Sequence, residues 1–230
     1  MGDPGRLWIV AAEQSKGRGR LGRVWSSPPG NLYASLLLID PAPPHVAAQL
    51  GFVAGVALAT AVRGLLGGDA RARLKWPNDL LYNDAKLSGL LLESVVCGGG
   101  LACTIGFGVN CLTSPTDAPY PTTNLRAIGA TFADRENLFA ELSDALAYWL
   151  EIWARGENFA KIRGAWLSHA GGIGGPARVM RRGVVLHGLF RGIDAQGRML
   201  LETGSGAVET IEAGDVAFGN GPGGFPDKAG

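Results

Sequence analysis

At 230 residues the chain is long enough for one or two domains. Hydrophobic residues make up 47% and charged residues 18%, a balance that buries a core and excludes a disordered tail protein, a collagen-like repeat or a coiled coil. Lys+Arg total 21 against Asp+Glu 20, a net charge of +1, so nothing draws the whole molecule to DNA or an anionic membrane and any basic site must be local.

Residues 1–12 lack the basic segment, apolar run and cleavage site of a signal peptide. Leu7 to Ala12 has strand length, and the glycine-rich polar stretch Gln14 to Gly30 follows it. Leu32 to Ile39 reads as a buried strand. Val46 to Val62 carries no charge, but it falls short of the roughly 20 apolar residues of a membrane span. Gly51, Gly55, Gln49 and several alanines dilute it further, so it is expected to be a core helix. Leu74 to Tyr82 is strand-like but is interrupted by Trp76-Pro77-Asn78-Asp79. Leu87 to Val96 and Leu101 to Val109 are strands joined through Gly98-Gly99-Gly100. Residues 110–126 read as a loop. Cys97, Cys103 and Cys111 show neither C-x-x-C spacing nor a nearby His pair, which argues against a disulfide framework or zinc site. That cysteine usage suits a reducing compartment, and a cytoplasmic protein is expected. Leu138, Phe139, Leu142, Leu146, Trp149, Leu150 and Trp153 recur at helical spacing, placing an amphipathic helix from about Asp134 to Gly156. A shorter helix is expected over Glu157 to Ser168. Gly171-Gly172-Ile173-Gly174-Gly175-Pro176 is a linker. Beyond it, Ala177–Met180, Val184–Ile193, Arg198–Glu202, Ala207–Ile211 and Val216–Phe218 are short strands with a hairpin at Asp194 to Gly197. They suggest a small β-barrel. The expected division is therefore residues 1–170, 171–219 and a disordered tail over 220–230.

Gly17-Arg18-Gly19-Arg20-Leu21-Gly22-Arg23 admits three readings. It matches the spelling of a dinucleotide fingerprint, but Val24-Trp25-Ser26-Ser27-Pro28-Pro29 cannot open the helix that this fingerprint requires. It could be a solvated or RNA-contacting basic turn. It could also capture an anionic small molecule, because glycines expose backbone N–H groups and arginines supply forked, permanently charged donors. A second constellation joins Lys75-Trp76-Pro77-Asn78-Asp79 to Lys86-Leu87-Ser88-Gly89. A single lysine before an apolar strand is ordinarily a solvated edge charge. Two lysines beside a carboxylate can instead pair with a substrate acid and help hold Mg²⁺ on phosphates.

Glu13 to Trp25, Gly30-Asn31-Leu32-Tyr33, Lys75 to Asp79, Lys86 to Gly89 and Gly106-Phe107-Gly108-Val109-Asn110 together resemble, in order and spacing, the signature blocks of biotin protein ligases. The resemblance covers nearly the whole chain. It implies an α+β fold: a mixed sheet with helices, of the class II aminoacyl-tRNA synthetase-like type, holding biotin and ATP over residues 1–170. An SH3-like β-barrel follows over 171–219. It also implies that biotin is activated by Mg-ATP to biotinyl-5′-AMP and passed to a lysine of a carboxylase's biotin carboxyl carrier domain. On this likeness Lys86 and Arg18 are catalytic. Gln14, Arg18, Gly19, Arg20 and Lys86 bind biotin, while Arg20, Arg23, Trp25, Asn31, Lys75, Asn78, Asp79 and Asn110 bind ATP or the adenylate. Asp79 is the candidate Mg²⁺ ligand. His45, His169 and His187 match none of the blocks. A ligase for lipoate or octanoate, or a non-catalytic biotin- or RNA-binding protein, is the alternative.

One departure stands out. The family's Ser/Thr-Thr-Asn segment, which contacts the ureido ring, has no counterpart upstream of Gln14. Thr122-Thr123-Asn124 lies in a later loop and is not given that role. The chain is expected to begin at an internal methionine of a longer product and to lack a DNA-binding domain, so DNA is not an expected partner and neither is a membrane. Homodimerisation through sheet edges is a further expectation from the resemblance.

Overall fold

A computed structural model describes residues 6–130, 134–181 and 183–219; the tail expected to be disordered, 220–230, lies outside them. The first sheet contains β1 (Arg6–Ala11), β2 (Leu32–Ile39), β3 (Ala72–Lys75), β4 (Asp79–Tyr82), β5 (Ala85–Cys97) and β6 (Gly100–Val109), ordered β1-β2-β6-β5-β4-β3. Every ladder between these strands is antiparallel. The parallel component comes from isolated bridges, Leu74 to Ala170 and Lys86 to Thr122.

Side chains alternate across a strand, and this alternation sorts the sheet into two faces. Leu36, Leu38, Cys103, Ile105 and Phe107 are buried with the helices. Those helices are α1 (Pro44–Ala47), α2 (Leu50–Leu65), α3 (Arg135–Trp153) and α4 (Phe159–His169). The run of α1 and α2 has the length and hydropathy of a membrane span, but 61% of its apolar window is buried inside the fold. It is the expected core helix. The start of α3 is set by Asp134, whose carboxylate accepts a hydrogen bond from the Asn137 N–H and so satisfies an otherwise orphaned donor of the first turn.

The second sheet holds β7 (Pro176–Arg181), β8 (Val184–Ile193), β9 (Met199–Thr203), β10 (Val208–Ile211) and β11 (Asp215–Phe218), in the order β10-β9-β8-β7-β11. All five expected strands form. The sheet stays open, however, with no ladder joining β10 to β11 among the described residues, so the expected barrel is corrected to an open antiparallel sheet. The two sheets are fastened together by buried groups. Trp76 Nε1 donates to Gly197 O at 3.0 Å. Arg163 spans from α4 to the carbonyls of Ile193 and Asp194. Gly197 has φ +82°, and a Cβ there would come within 2.5 Å of the Phe52 ring, so only glycine permits this contact.

His169 closes α4. Burial, reinforced by the neighbouring Arg63, pushes its imidazolium down to about 4 from 6.5, and Nδ1 is buried without a hydrogen-bond partner. Between those two values the unfolded chain takes up a proton that the folded chain refuses, so stability is lost as pH falls from 6.5 towards 4. Replacing His169 with Gln is expected to remove on the order of 2 kcal/mol of this acid sensitivity, after discounting for partial solvent access. Denaturant unfolding of both proteins at neutral pH and near pH 4.5 measures it; equal losses in the two proteins would contradict the assignment.

Candidate active site

The loop between β1 and β2 folds back on itself. Gly19 N–H donates to Arg23 O at 2.7 Å and Trp25 N–H donates to Gly17 O at 3.0 Å. A 3₁₀ turn over Arg20–Gly22 closes its tip, with Leu21 and Gly22 at positive φ. This geometry turns Arg18, Arg20, Arg23 and Trp25 towards the end of the first sheet. There they meet Lys75, at the end of β3, Asn78 and Asp79, which lead into β4, and Lys86 of β5 around a single cleft.

Lys86 owes its position to a register shift. Leu81 pairs with Lys86 whereas Leu80 pairs with Ser88, so Leu87 is an extra residue on β5. A bulge of this kind bends the strand and re-aims the adjacent side chain. Leu87 and Ser88 are both buried, and Ser88 Oγ donates to Gly108 O at 2.7 Å. The Lys86 backbone is tied to the loop after β6: its N–H donates to Pro121 O at 2.8 Å and its carbonyl accepts from Thr123 N–H at 3.0 Å. Its ammonium lies 2.7 Å from Asp79 Oδ1, and each side chain of the pair is 16% exposed. The Trp25 and Tyr120 rings flank it at 5.5 and 5.4 Å, within the range of cation–π attraction. The lysine is thus held in place while remaining open to the cleft.

Neighbouring charges reinforce an anion site. Burial pushes the Lys75 ammonium below its ordinary value, partly opposed by Asp79. Burial also lowers Arg20, opposed by Asp215 and Asp79. A bound polyanion would relieve both desolvation costs by supplying the missing opposite charge. Arg20 Nη1 donates to Asn78 Oδ1 at 3.2 Å and Asn78 Nδ2 donates to Leu90 O at 2.6 Å. Arg23 forms an ion pair with Asp215 of β11. The second sheet therefore contributes a wall to the cleft.

A second cavity lies against the sheet face that carries no helix, and Gln14 and Lys16 line it. Arg18 and Trp25 line both cavities and form the partition between them. The indole lies over Gly89 and Gly108. A Cβ at Gly108 would approach Trp25 Cε2 to 2.6 Å, and one at Gly89 would approach Cζ3 to 3.1 Å. Those two glycines create the space the ring occupies. Trp25 Nε1 is buried without an acceptor.

The chain's matches to known proteins follow these same elements. Residues 3–110 match the biotin/lipoate A/B protein ligase family, and residues 174–219 match the biotin protein ligase C-terminal domain. The biotin–[acetyl-CoA-carboxylase] ligase of Paracoccus denitrificans is 38% identical over 221 residues, covering 94% of this chain and 91% of the relative. The chain belongs to the biotin protein ligase family. The Escherichia coli bifunctional ligase/repressor BirA is 33% identical over 91% of the chain, which spans 65% of that longer protein. Among solved structures, the biotin protein ligase of Aquifex aeolicus in complex with biotin and ATP superposes with a TM-score of 0.78 at 27% identity. That match covers 92% of this chain and 88% of the other.

Within this biotin protein ligase scaffold, Arg18, Gly19, Arg20, Arg23, Trp25, Lys75, Asn78, Asp79 and Lys86 gather at the first cleft. Gln14 instead borders the second cavity, where its Oε1 accepts from Ser27 Oγ at 2.9 Å. Asn31 and Asn110 line neither. Asn31 is 1% exposed, and its Oδ1 accepts from the backbone N–H groups of Cys111, Leu112 and Thr113 at 2.9–3.1 Å. Its amide shapes the loop after β6. Asn110, also buried, donates to Thr123 O at 3.0 Å. Both act on the cleft through the loop they hold. Tyr120, Asp84 and Asp215 line the first cleft without having belonged to any sequence block. Among the described residues no group of three His, Cys, Asp or Glu side chains gathers to hold a metal. A Mg²⁺ arriving with ATP needs only one or two protein carboxylates, and Asp79 fits as one of them.

Proposed function

We propose that this chain is a biotin ligase that activates biotin with Mg-ATP and transfers it to a lysine of a biotin carboxyl carrier domain. The observation that carries the reading is Lys86, pinned by Asp79 in a cleft rich in cations, which a shared wall of Arg18 and Trp25 joins to a second cavity on the bare sheet face. Such a layout suits a long acid whose carboxylate must meet a polyphosphate.

In the first step the biotin carboxylate oxygen attacks the α-phosphorus of ATP. The bond to the bridging oxygen breaks, and pyrophosphate leaves with its electron pair. Lys86 would stabilise charge accumulating on the α-phosphoryl oxygens. Arg20, Arg23 and Lys75 would hold the phosphates, and Asp79 would hold the Mg²⁺ that accompanies them. In the second step the carrier's neutral lysine amine attacks the acyl carbon, AMP leaves, and the amide nitrogen gives up its proton. Arg18 would retain the adenylate until the carrier arrives. Water is excluded meanwhile by the Trp25 wall, which matters because a mixed anhydride hydrolyses readily. These reactants belong to the cytoplasm, and a second copy could add at the edge of β5. There residues 91–97 pair with β6 but extend past the ladder with β4.

The decisive experiment is biotin-dependent release of pyrophosphate from Mg-ATP, with mass detection of biotinyl-5′-AMP and of a biotinylated carrier domain. Both products are expected. Because the matched family also includes lipoate ligases, lipoate and octanoate are run in parallel. Turnover with either of these acids and none with biotin would overturn the assignment.

A further inference from the structure

The second cavity lies on a sheet face whose pattern is unusual for a solvated surface. Across β5, β6 and β2, residues on this face fall into rows: Gly89–Gly108–Tyr33, then Leu91–Gly106–Ser35, then Glu93–Thr104–Leu37, then Val95–Ala102–Ile39. The first row belongs to Lys86, since a Cβ on Gly89 would lie 3.4 Å from the lysine Cε and Nζ. Polar side chains appear only on the two middle rows. The outermost row, which solvent reaches most freely, is apolar instead, with Val95 60% and Ile39 46% exposed. Water alone would favour the opposite arrangement. Ser35, Glu93 and Thr104 all line the second cavity.

We infer that Ser35, Thr104 and Glu93 read the ring end of the substrate acid and set the enzyme's selectivity for a cyclic urea. This inference rests on the ligase reading above and deepens it. From Gly108, at the level of the Lys86 ammonium, to Thr104 is four residues along β6. At about 3.3 Å each that is roughly 13 Å, comparable to an extended five-carbon acid tail plus a fused two-ring head. An acid whose carboxylate sits at Lys86 and whose chain passes the Trp25 wall therefore brings its head to these three side chains. Their chemistry is complementary. A cyclic urea offers two N–H donors and one carbonyl acceptor; a carboxylate only accepts, and a hydroxyl can donate. Glu93 takes the N–H groups, and the hydroxyls of Thr104 and Ser35 address the carbonyl. A dithiolane or a plain alkyl head offers nothing to Glu93 and leaves its charge to be desolvated unpaired. The strands of this chain thus supply polar contacts at the position where the sequence upstream of Gln14 shows no Ser/Thr-Thr-Asn segment.

The test is steady-state adenylate formation by the full chain with biotin and with dethiobiotin, which keeps the urea and lacks the sulfur. Thr104→Val preserves shape and β-branching and removes only the hydroxyl. It is expected to raise KM about tenfold for both acids while KM for ATP stays put. Thr104→Ser should restore most of the loss, and Ser35→Ala should move KM in the same direction as Thr104→Val. If the wild-type chain makes biotinyl-adenylate and T104V does so with an unchanged biotin KM, or with an equal rise in KM for ATP, the ring assignment fails and the ligase reading stands. A wild-type chain that makes no adenylate from biotin overturns both.

Discussion

Replacing Lys86 with alanine is expected to slow biotinyl-adenylate formation by 100- to 1,000-fold, about 2.7–4 kcal/mol of lost transition-state stabilisation. The ammonium is preorganised. Asp79 fixes it at 2.7 Å, two aromatic rings bracket it, and the bulge at Leu87 aims it into the cleft. No reorganisation is then needed as charge develops on the phosphoryl oxygens. The fold should survive, because Lys86 and Asp79 retain some solvent access and water can take the place of the lost partner. Lys86→Arg is the more informative companion. It keeps the charge, but a planar fork cannot reproduce a compact ammonium between two ring faces, so most of the rate should stay lost. Single-turnover pyrophosphate release, measured alongside thermal unfolding, separates chemistry from folding. A wild-type rate in Lys86→Ala would remove Lys86 from the mechanism.

Arg18→Ala should act on a different step. Arg18 borders both cavities, so it can hold the finished adenylate at the junction of its acyl and nucleotide halves. Losing that donor is expected to cost roughly 2.7–4 kcal/mol in retention, seen as free adenylate in the filtrate and as its hydrolysis product. Formation itself should fall less than in Lys86→Ala. The two variants therefore predict opposite accumulations, with substrate remaining in one and intermediate escaping in the other. Adenylate held as firmly by Arg18→Ala as by the wild type would refute the role.

The open second sheet contributes more than mass. Asp215 on β11 pairs with Arg23, and Gly214 O lies 3.5 Å from Arg20 Nη2, so the glycine–arginine loop is tethered at its base by the C-terminal sheet. Trp76, next to the residues that frame the cleft, is itself anchored to Gly197 of that sheet. Separating the two sheets would loosen the loop and the Lys75–Asp79 segment together.

The sequence by itself determined the strands and helices, because burial in this chain follows local periodicity. Leu32–Ile39 and Val184–Ile193 form with the boundaries their apolar runs suggest, and Asp134 caps the helix it was expected to start. It also determined the cations of the cleft, since Arg18, Arg20, Lys75 and Lys86 sit in compact blocks whose spelling carries the chemistry. Tertiary structure decided what each block faces. Asn31 and Asn110 read as nucleotide contacts, yet their amides are consumed by backbone groups of one loop. The loop's demand for partners becomes visible only once β2 and β6 lie side by side. Tyr120, Asp215, Thr104 and Glu93 belong to no motif. Thr104 and Glu93 share a cavity only because antiparallel register sets them opposite each other. Asp215 reaches Arg23 across 192 positions of chain because the second sheet packs on the first. Periodicity acts between near neighbours in sequence, whereas register and sheet packing bring together residues that no local pattern connects.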